Sequence, residues 1–265
     1  MSELLVKPSG DSGKLIDITP QSAGWRYVGF ALHKLGAGES VSDVTGDREV
    51  CLVFVSGSGR VSAGGEALGT MGGRKSPFDG KPAAVYVPGN SDWSVTAETD
   101  LELAVCSAPA LTERAVTVIS PDAMSQEVRG KGTNVRHVTN ILPETDGVAD
   151  SLLVVEVITP GGHTSSYPPH KHDRDALPEE SYLEETYYHR LNPHQGFAFQ
   201  RVYTDDRSLD ETLLIEDGVT TLVPKGYHPC AAIHGYDLYY LNVMAGPHRT
   251  WKFHNQPEHE WLLGA

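Results

Sequence analysis

Apolar residues along this chain fall in short, dense runs that glycine and proline close off. Val50-Cys-Leu-Val-Phe-Val55 is bounded by Ser56-Gly-Ser-Gly59 and followed by Arg60-Val-Ser62. Ala84-Val-Tyr-Val87 stops at Pro88-Gly89, and Leu101-Glu-Leu-Ala-Val-Cys106 stops short of Pro109. Arg26-Tyr-Val-Gly-Phe-Ala-Leu-His33 has the same character. Runs of this length, rich in β-branched and aromatic residues between turn formers, predict strands. The later sequence repeats the style in Leu152–Ile158, Glu184–Leu191, Phe197–Tyr203, Val219–Val223 and Asp237–Val243. Only Ser107 to Met124 and Pro178 to Glu185 leave room for short helices. The predicted class is all-β, as two sandwiches or barrels.

The softest stretch is Asn140 to Asp150, with Pro143, Asp146 and Gly147. A boundary there predicts two domains, 1–140 and 141–265. Tyr86-Val-Pro-Gly89 in the first and Val223-Pro-Lys-Gly226 in the second each precede a further apolar strand, which hints at a duplication.

Composition narrows the function. The 265 residues carry 35 acidic and 21 basic side chains, a net charge of −14. Such a surface argues against nucleic acid or an anionic membrane as partner, while a few local arginines can still hold a small acid. No apolar run reaches the roughly 18 residues a spanning helix needs. The first residues lack a basic segment followed by an apolar stretch, so no secretory leader is expected. Cys51, Cys106 and Cys230 are odd in number and have no Cys-x-x-Cys spacing, as expected of free thiols in a cytoplasmic protein.

Of twelve histidines, only His33 precedes position 137. The chemistry is therefore expected in the second half. Tyr167-Pro-Pro-His-Lys-His172 places His170 and His172 at i, i+2, on one face of a strand, where two imidazoles can share a cation. Lys225-Gly-Tyr-His-Pro229 offers a further histidine after a β-run. Glu179, Glu180, Glu184 and Glu185 all follow the pair. Alternation puts Glu185, Tyr187 and His189 on one face of a tyrosine-rich strand, which makes Glu185 the preferred carboxylate ligand. A buried carboxylate there would be expensive without a cation or other partner.

The segments His163 to Leu191, Pro224 to Gly246, Trp251-Lys-Phe-His254 and Glu258-His-Glu-Trp261 resemble the 5-deoxy-glucuronate isomerases of bacterial myo-inositol catabolism. More distantly they resemble the uronate ketol-isomerases of pectin breakdown. Arg74-Lys-Ser-Pro-Phe-Asp-Gly80 with Tyr86-Val-Pro88 extends the likeness to the first half, so it covers essentially the whole chain. The resemblance implies a bicupin, two tandem jelly-roll barrels with metal in the C-terminal one alone. Its ligand pattern falls on His170, His172, Glu185 and His228. The twelve residues between His172 and Glu185 exceed the usual cupin spacing, which keeps Glu179 and Glu180 as rivals for the carboxylate. The implied activity is a metal-dependent aldose–ketose isomerisation of 5-deoxy-D-glucuronate to 5-dehydro-2-deoxy-D-gluconate. Zinc is the preferred ion, with manganese and iron as alternatives.

For the substrate carboxylate, Arg174 and Arg249 come first and Arg201 third. For proton transfer the candidates are Glu179, Tyr187, Lys225 and Tyr240, with Tyr227 and His189 beside them. A homo-oligomer is expected, because exposed sheet edges favour assembly. The competing readings are an Fe(II) cupin dioxygenase and a non-catalytic sugar-binding bicupin.

Overall fold

The computed structural model describes residues 2–264. By contacts they divide into two units that exchange segments. The N-terminal unit holds Pro8–Ser125 and Asn140–Val154; the C-terminal unit holds residues 2–7, Gln126–Thr139 and 155–264. A single cut near 140, the expectation from sequence, thus becomes an interleaved division.

Each unit is a large sheet and a small sheet. In the N-terminal unit the large sheet runs Thr117–Ile119, Ala84–Val87, Arg48–Ser56, Leu101–Pro109, Gly29–Leu35, Gly13–Ile18. The small sheet runs Ser40–Val44, Asp92–Ala97, Ser58–Ala63, Glu66–Gly72. Arg48–Ser56 is central and buried on both faces, which is why it reads as a continuous apolar run rather than an alternating one. Asp92–Ala97 alternates and buries only Trp93, Val95 and Ala97. Val50, Leu52, Phe54, Leu103, Val61, Trp93 and Val95 meet in one core cluster drawn from both sheets.

A buried carboxylate fixes the returning segment of this unit. Glu49 accepts hydrogen bonds from Tyr86 Oη at 2.7 Å and from the backbone N–H groups of Asp150, Ser151 and Leu152 at 2.8, 2.7 and 2.6 Å. Four donors satisfy a charge that would otherwise be costly to bury.

The C-terminal unit repeats this order. Its large sheet runs Leu5–Val6, Thr220–Val223, Glu184–Asn192, Asp237–Ala245, Leu153–Thr159, Arg136–Leu142, Ser125–Arg129. Its small sheet runs Thr164–Ser165, Cys230–Ala232, Ala198–Tyr203, Asp210–Ile215. Leu5 and Val6, from the start of the chain, supply an edge strand by pairing with Thr221 and Thr220.

The expected helical stretches are not helical. Pro178–Glu185 forms the strand Glu180–Tyr182 and the start of Glu184–Asn192. Ser107–Met124 holds the end of one strand, a short strand Thr117–Ile119 and a 3-10 turn at Pro121–Ala123. The α-helix among the described residues is a single turn, Pro20–Ala23, capped by the Thr19 hydroxyl.

Candidate metal centre

Three strand-borne elements of the C-terminal unit bring His172, Glu185 and His228 together, all buried. His172 follows the short strand His170–Lys171, which pairs with His254–Asn255. Strand alternation sends Lys171 the other way, into ion pairs with Asp173 at 2.6 Å and with Glu180 and Asp205 at 3.5 Å. Glu185 sits near the start of the central strand Glu184–Asn192. His228 follows a turn at Gly226, whose φ of 89° is left-handed; a Cβ there would also collide with the Tyr203 carbonyl.

The histidines are oriented from behind. His172 Nδ1 donates to the Leu183 carbonyl at 3.0 Å, and His228 Nδ1 donates to the Gly226 carbonyl at 2.9 Å. Each backbone bond fixes the ring from behind and points its Nε2 at the centre of the group. Both Nε2 atoms converge on Glu185 Oε2, at 3.1 Å for His172 and 3.2 Å for His228. His228 Nε2 is buried and makes no hydrogen bond. The other carboxylate oxygen, Oε1, accepts from Asn242 Nδ2.

The electrostatics suit a cation. Burial alone would raise the Glu185 carboxyl, but the charges of His228 and His172 and the hydrogen bonds from His172 and Asn242 outweigh it and hold it at about 2. Burial lowers His228 and, with its two neighbouring imidazoles, holds His170 well below the usual histidine range. His172 moves upward, because Glu185 overcomes its burial. A buried, ionised carboxylate facing two imidazoles, one with an unpartnered nitrogen, is a group that could hold a divalent ion.

His170 lies against this triad: its ring centroid is 5.0 Å from that of His228 and 6.5 Å from that of His172, and Phe253 covers it at 4.7 Å. Tyr187 and Tyr240 line the same small cavity of about 30 Å³, with centroids 4.8 Å apart. Tyr187 Oη meets Ser166 Oγ at 3.2 Å. Burial raises both phenols above their ordinary range. His189 shares the strand face of Glu185 and Tyr187 but is engaged with Gln200 and Thr221, each at 3.2 Å; burial pushes it down to about 3.

The remaining expected residues lie elsewhere. Glu179 is exposed in a turn, and Glu180 is buried as the acceptor for Arg174, at 2.8 Å to Nε and 2.7 Å to Nη2. Arg174 is therefore held in a side-on pair. Lys225 is exposed beside Asp205 and Asp206 at a separate cavity. Arg201 pairs with Asp210 at 2.7 Å, and Tyr227 donates to Asp205 at 2.8 Å. Arg249 does not line the cavity beside Glu185. Two arginines that sequence reasoning missed do: Arg129 and Arg136, both half-buried. Arg129 lies over the Trp251 ring at 5.2 Å. Their segment precedes the histidine-rich half, and no local spacing marks them. Only the pairing of the large sheet brings them to the site.

Among known proteins, a 5-deoxy-glucuronate isomerase from Geobacillus kaustophilus is 52% identical over 267 residues, covering 99% of this chain and 96% of its own. A crystal structure of an IolB-like protein from Salmonella typhimurium matches with a TM-score of 0.97 at 53% identity, over 99% of this chain and 100% of that one. An oxalate decarboxylase from Lactobacillus farciminis matches with a TM-score of 0.66 at 13% identity, over 100% of this chain and 91% of that one; it shares the cupin-like fold alone. The model of the KduI/IolB family matches residues 4–262, and the chain belongs to that family.

Proposed function

We propose that this protein is a metal-dependent 5-deoxy-glucuronate isomerase, built as a bicupin whose C-terminal barrel alone binds the ion. The observation that carries the reading is the convergence of two imidazole nitrogens, that of His228 without a hydrogen bond, on a buried, ionised carboxylate beside two arginines. Relatives about half identical over nearly the whole chain bear the same enzyme name. His172, Glu185 and His228 would hold the ion and His170 would complete the set, with zinc preferred over manganese and iron. The ion would polarise the substrate's carbonyl and neighbouring hydroxyl oxygens.

The chain supplies the rest. Arg136 binds the substrate carboxylate, and Arg129 flanks it; they take the place of Arg174, which is paired with Glu180, and of Arg249, which does not line this cavity. Tyr187 and Tyr240, kept protonated by burial, hand a proton from the substrate's hydroxyl oxygen to its carbonyl oxygen, while the hydrogen on the hydroxyl-bearing carbon moves to the carbonyl carbon, so that carbonyl and hydroxyl exchange places. The Tyr187–Ser166 contact offers a path for the exchanged proton. About 30 Å³ holds little more than a water, so a sugar acid enters only when Trp251 and Phe253 draw back. The reading carries with it a cytoplasmic location and a homo-oligomeric state. The three cysteines are free and buried, and no helix among the described residues is long and apolar enough to cross a membrane.

The test is conversion of 5-deoxy-D-glucuronate to 5-dehydro-2-deoxy-D-gluconate, followed by NMR with chelator and then metal added back. Turnover should vanish with chelator and return with metal. Failure with every divalent metal would overturn the isomerase reading, and oxygen consumption with iron would replace it with an oxygenase.

A further inference from the structure

The N-terminal unit has a cavity of its own, about 340 Å³, between its large and small sheets. Its apolar lining includes Val41, Val50, Val105 and Trp93. Its wall carries His33, which is only 8% exposed. Gly29, Ala31 and His33 alternate along one strand on the cavity side; the room beside Gly29 is taken by Ser107 Oγ and Arg48. The His33 imidazole makes no hydrogen bond among the described residues, although it lines the cavity. A buried polar ring with no protein partner needs one from the cavity contents. Arg48 does not answer that need: its Nε donates to Ser107 Oγ at 3.2 Å and its Nη2 to the Tyr27 carbonyl at 2.6 Å.

The mouth is lined by Lys14, Asp17 and Asp43. Lys14 is paired with Asp17 at 3.2 Å. Two cations, Lys14 and Arg48, thus balance two carboxylates. Burial, with the charge of Lys14, lowers His33 and favours its neutral form. Such a lining has no net charge to offer an anion. It offers acceptors for hydroxyl groups and one imidazole that can donate or accept, above an edge of the nearly buried Trp93. The volume is at the small end of ordinary ligand sites.

We infer that this cavity is a second binding site, for a neutral polyhydroxylated ring of monosaccharide size, held by His33 and Asp43 and lying close to Trp93. The inference is independent of the chemistry assigned to the metal centre.

The four tryptophans make a direct test possible. The full-length protein, with its metal and with 5-fluorotryptophan in place of tryptophan, would be titrated with D-glucose and separately with D-glucuronate. The Trp93 signal would be assigned from Trp93→Phe, and Trp251 would report on the metal centre. D-glucose should move the Trp93 signal saturably at millimolar concentration. His33→Leu should weaken that response about tenfold, the loss of one well-made hydrogen bond. Asp43→Asn, at the exposed rim, should weaken it about threefold without risk to the fold. No shift of Trp93 up to roughly 50 mM, or a shift unchanged in both variants, would overturn the site. A Trp93 response to D-glucuronate but not to D-glucose would overturn the neutral class of ligand.

Discussion

Counted from their Val-Pro turns, the central strands of the two units can be laid on one another. Val50 pairs with Val87 as Glu185 pairs with Val223. Two residues on, Leu52 stands where Tyr187 stands, and Phe54 where His189 stands. Across the neighbouring strand, Val105 faces Leu52 as Asn242 faces Tyr187. Asn90 and Gly226, three residues after those valines, both turn through positive φ, at 56° and 89°. One register therefore holds valine, leucine and phenylalanine in one unit and glutamate, tyrosine and histidine in the other. The frame tolerates either interior because the strand hydrogen bonds are the same; what differs is whether every inward polar group finds a partner. In the C-terminal unit His189 leans on Gln200 and Thr221, and Glu185 on Asn242, yet His189 Nδ1, Asn242 Oδ1 and His228 Nε2 are buried without a hydrogen bond.

Disabling the polar register should reveal the widest gap between the units. Glu185→Gln is expected to lower kcat about 10³-fold and to release the metal, read by turnover and by metal analysis of the dialysed protein. Retention of a full complement of metal would remove Glu185 from the ligand set. Arg136→Ala should raise KM and reduce kcat/KM about 100-fold, the loss of a charge-assisted contact, while Arg174→Ala should change neither strongly. A reversed order would return the substrate carboxylate to Arg174.

The apolar register should respond in stability instead. Leu52→Ala is expected to cost about 2–5 kcal/mol in denaturant unfolding, with kcat unchanged in the protein that remains folded. A loss of kcat at full stability would mean that the N-terminal interior takes part in turnover.

Acid provides the smallest and most local test. Asp150, in the N-terminal unit, accepts from the backbone N–H groups of Leu111 and Thr112 at 2.9 and 2.7 Å and from Arg114 at 2.8 Å. Burial would raise its carboxyl, but bonds from Thr112 and Arg114 prevail and hold it at about 2, below the ordinary 3.8. The folded state thus binds its proton less readily than the unfolded chain. The stabilisation is fully present above about pH 4 and is lost as pH falls toward 2, about 2 kcal/mol in all. Asp150→Asn should flatten that part of the stability–pH curve; an unchanged slope would assign it to other carboxylates.

The legibility of the chain followed the same division. Ala84–Val87 was marked by its residues alone, because a run buried on every side has nothing but apolar side chains. Ser40–Val44 gave no signal: it is an edge strand with no buried residue, so no alternation was imposed on it. The buried group of His172, Glu185 and His228 was legible because His172 belongs to a His-x-His pair and Glu185 lies near the start of a strand whose faces alternate; His170 stands beside that group. Arg136 was not, because a residue that reaches its site through sheet pairing alone leaves no local spacing. Glu180 misled in a related way, since its burial is compensated by Lys171 and Arg174 rather than by a cation site.

The pairing of Leu5 with Thr221 also bears on how the molecule is made. Leu5 leaves the ribosome 216 residues (221 − 5) ahead of its partner. At ordinary synthesis rates the edge strand waits on the order of ten seconds or more for a sheet to join. Until then the C-terminal unit's large sheet lacks its outer strand, and Thr220–Val223 presents unpaired backbone groups. Removing the first seven residues would leave the metal ligands untouched in sequence, yet it would make that bare edge permanent and the protein prone to associate through it.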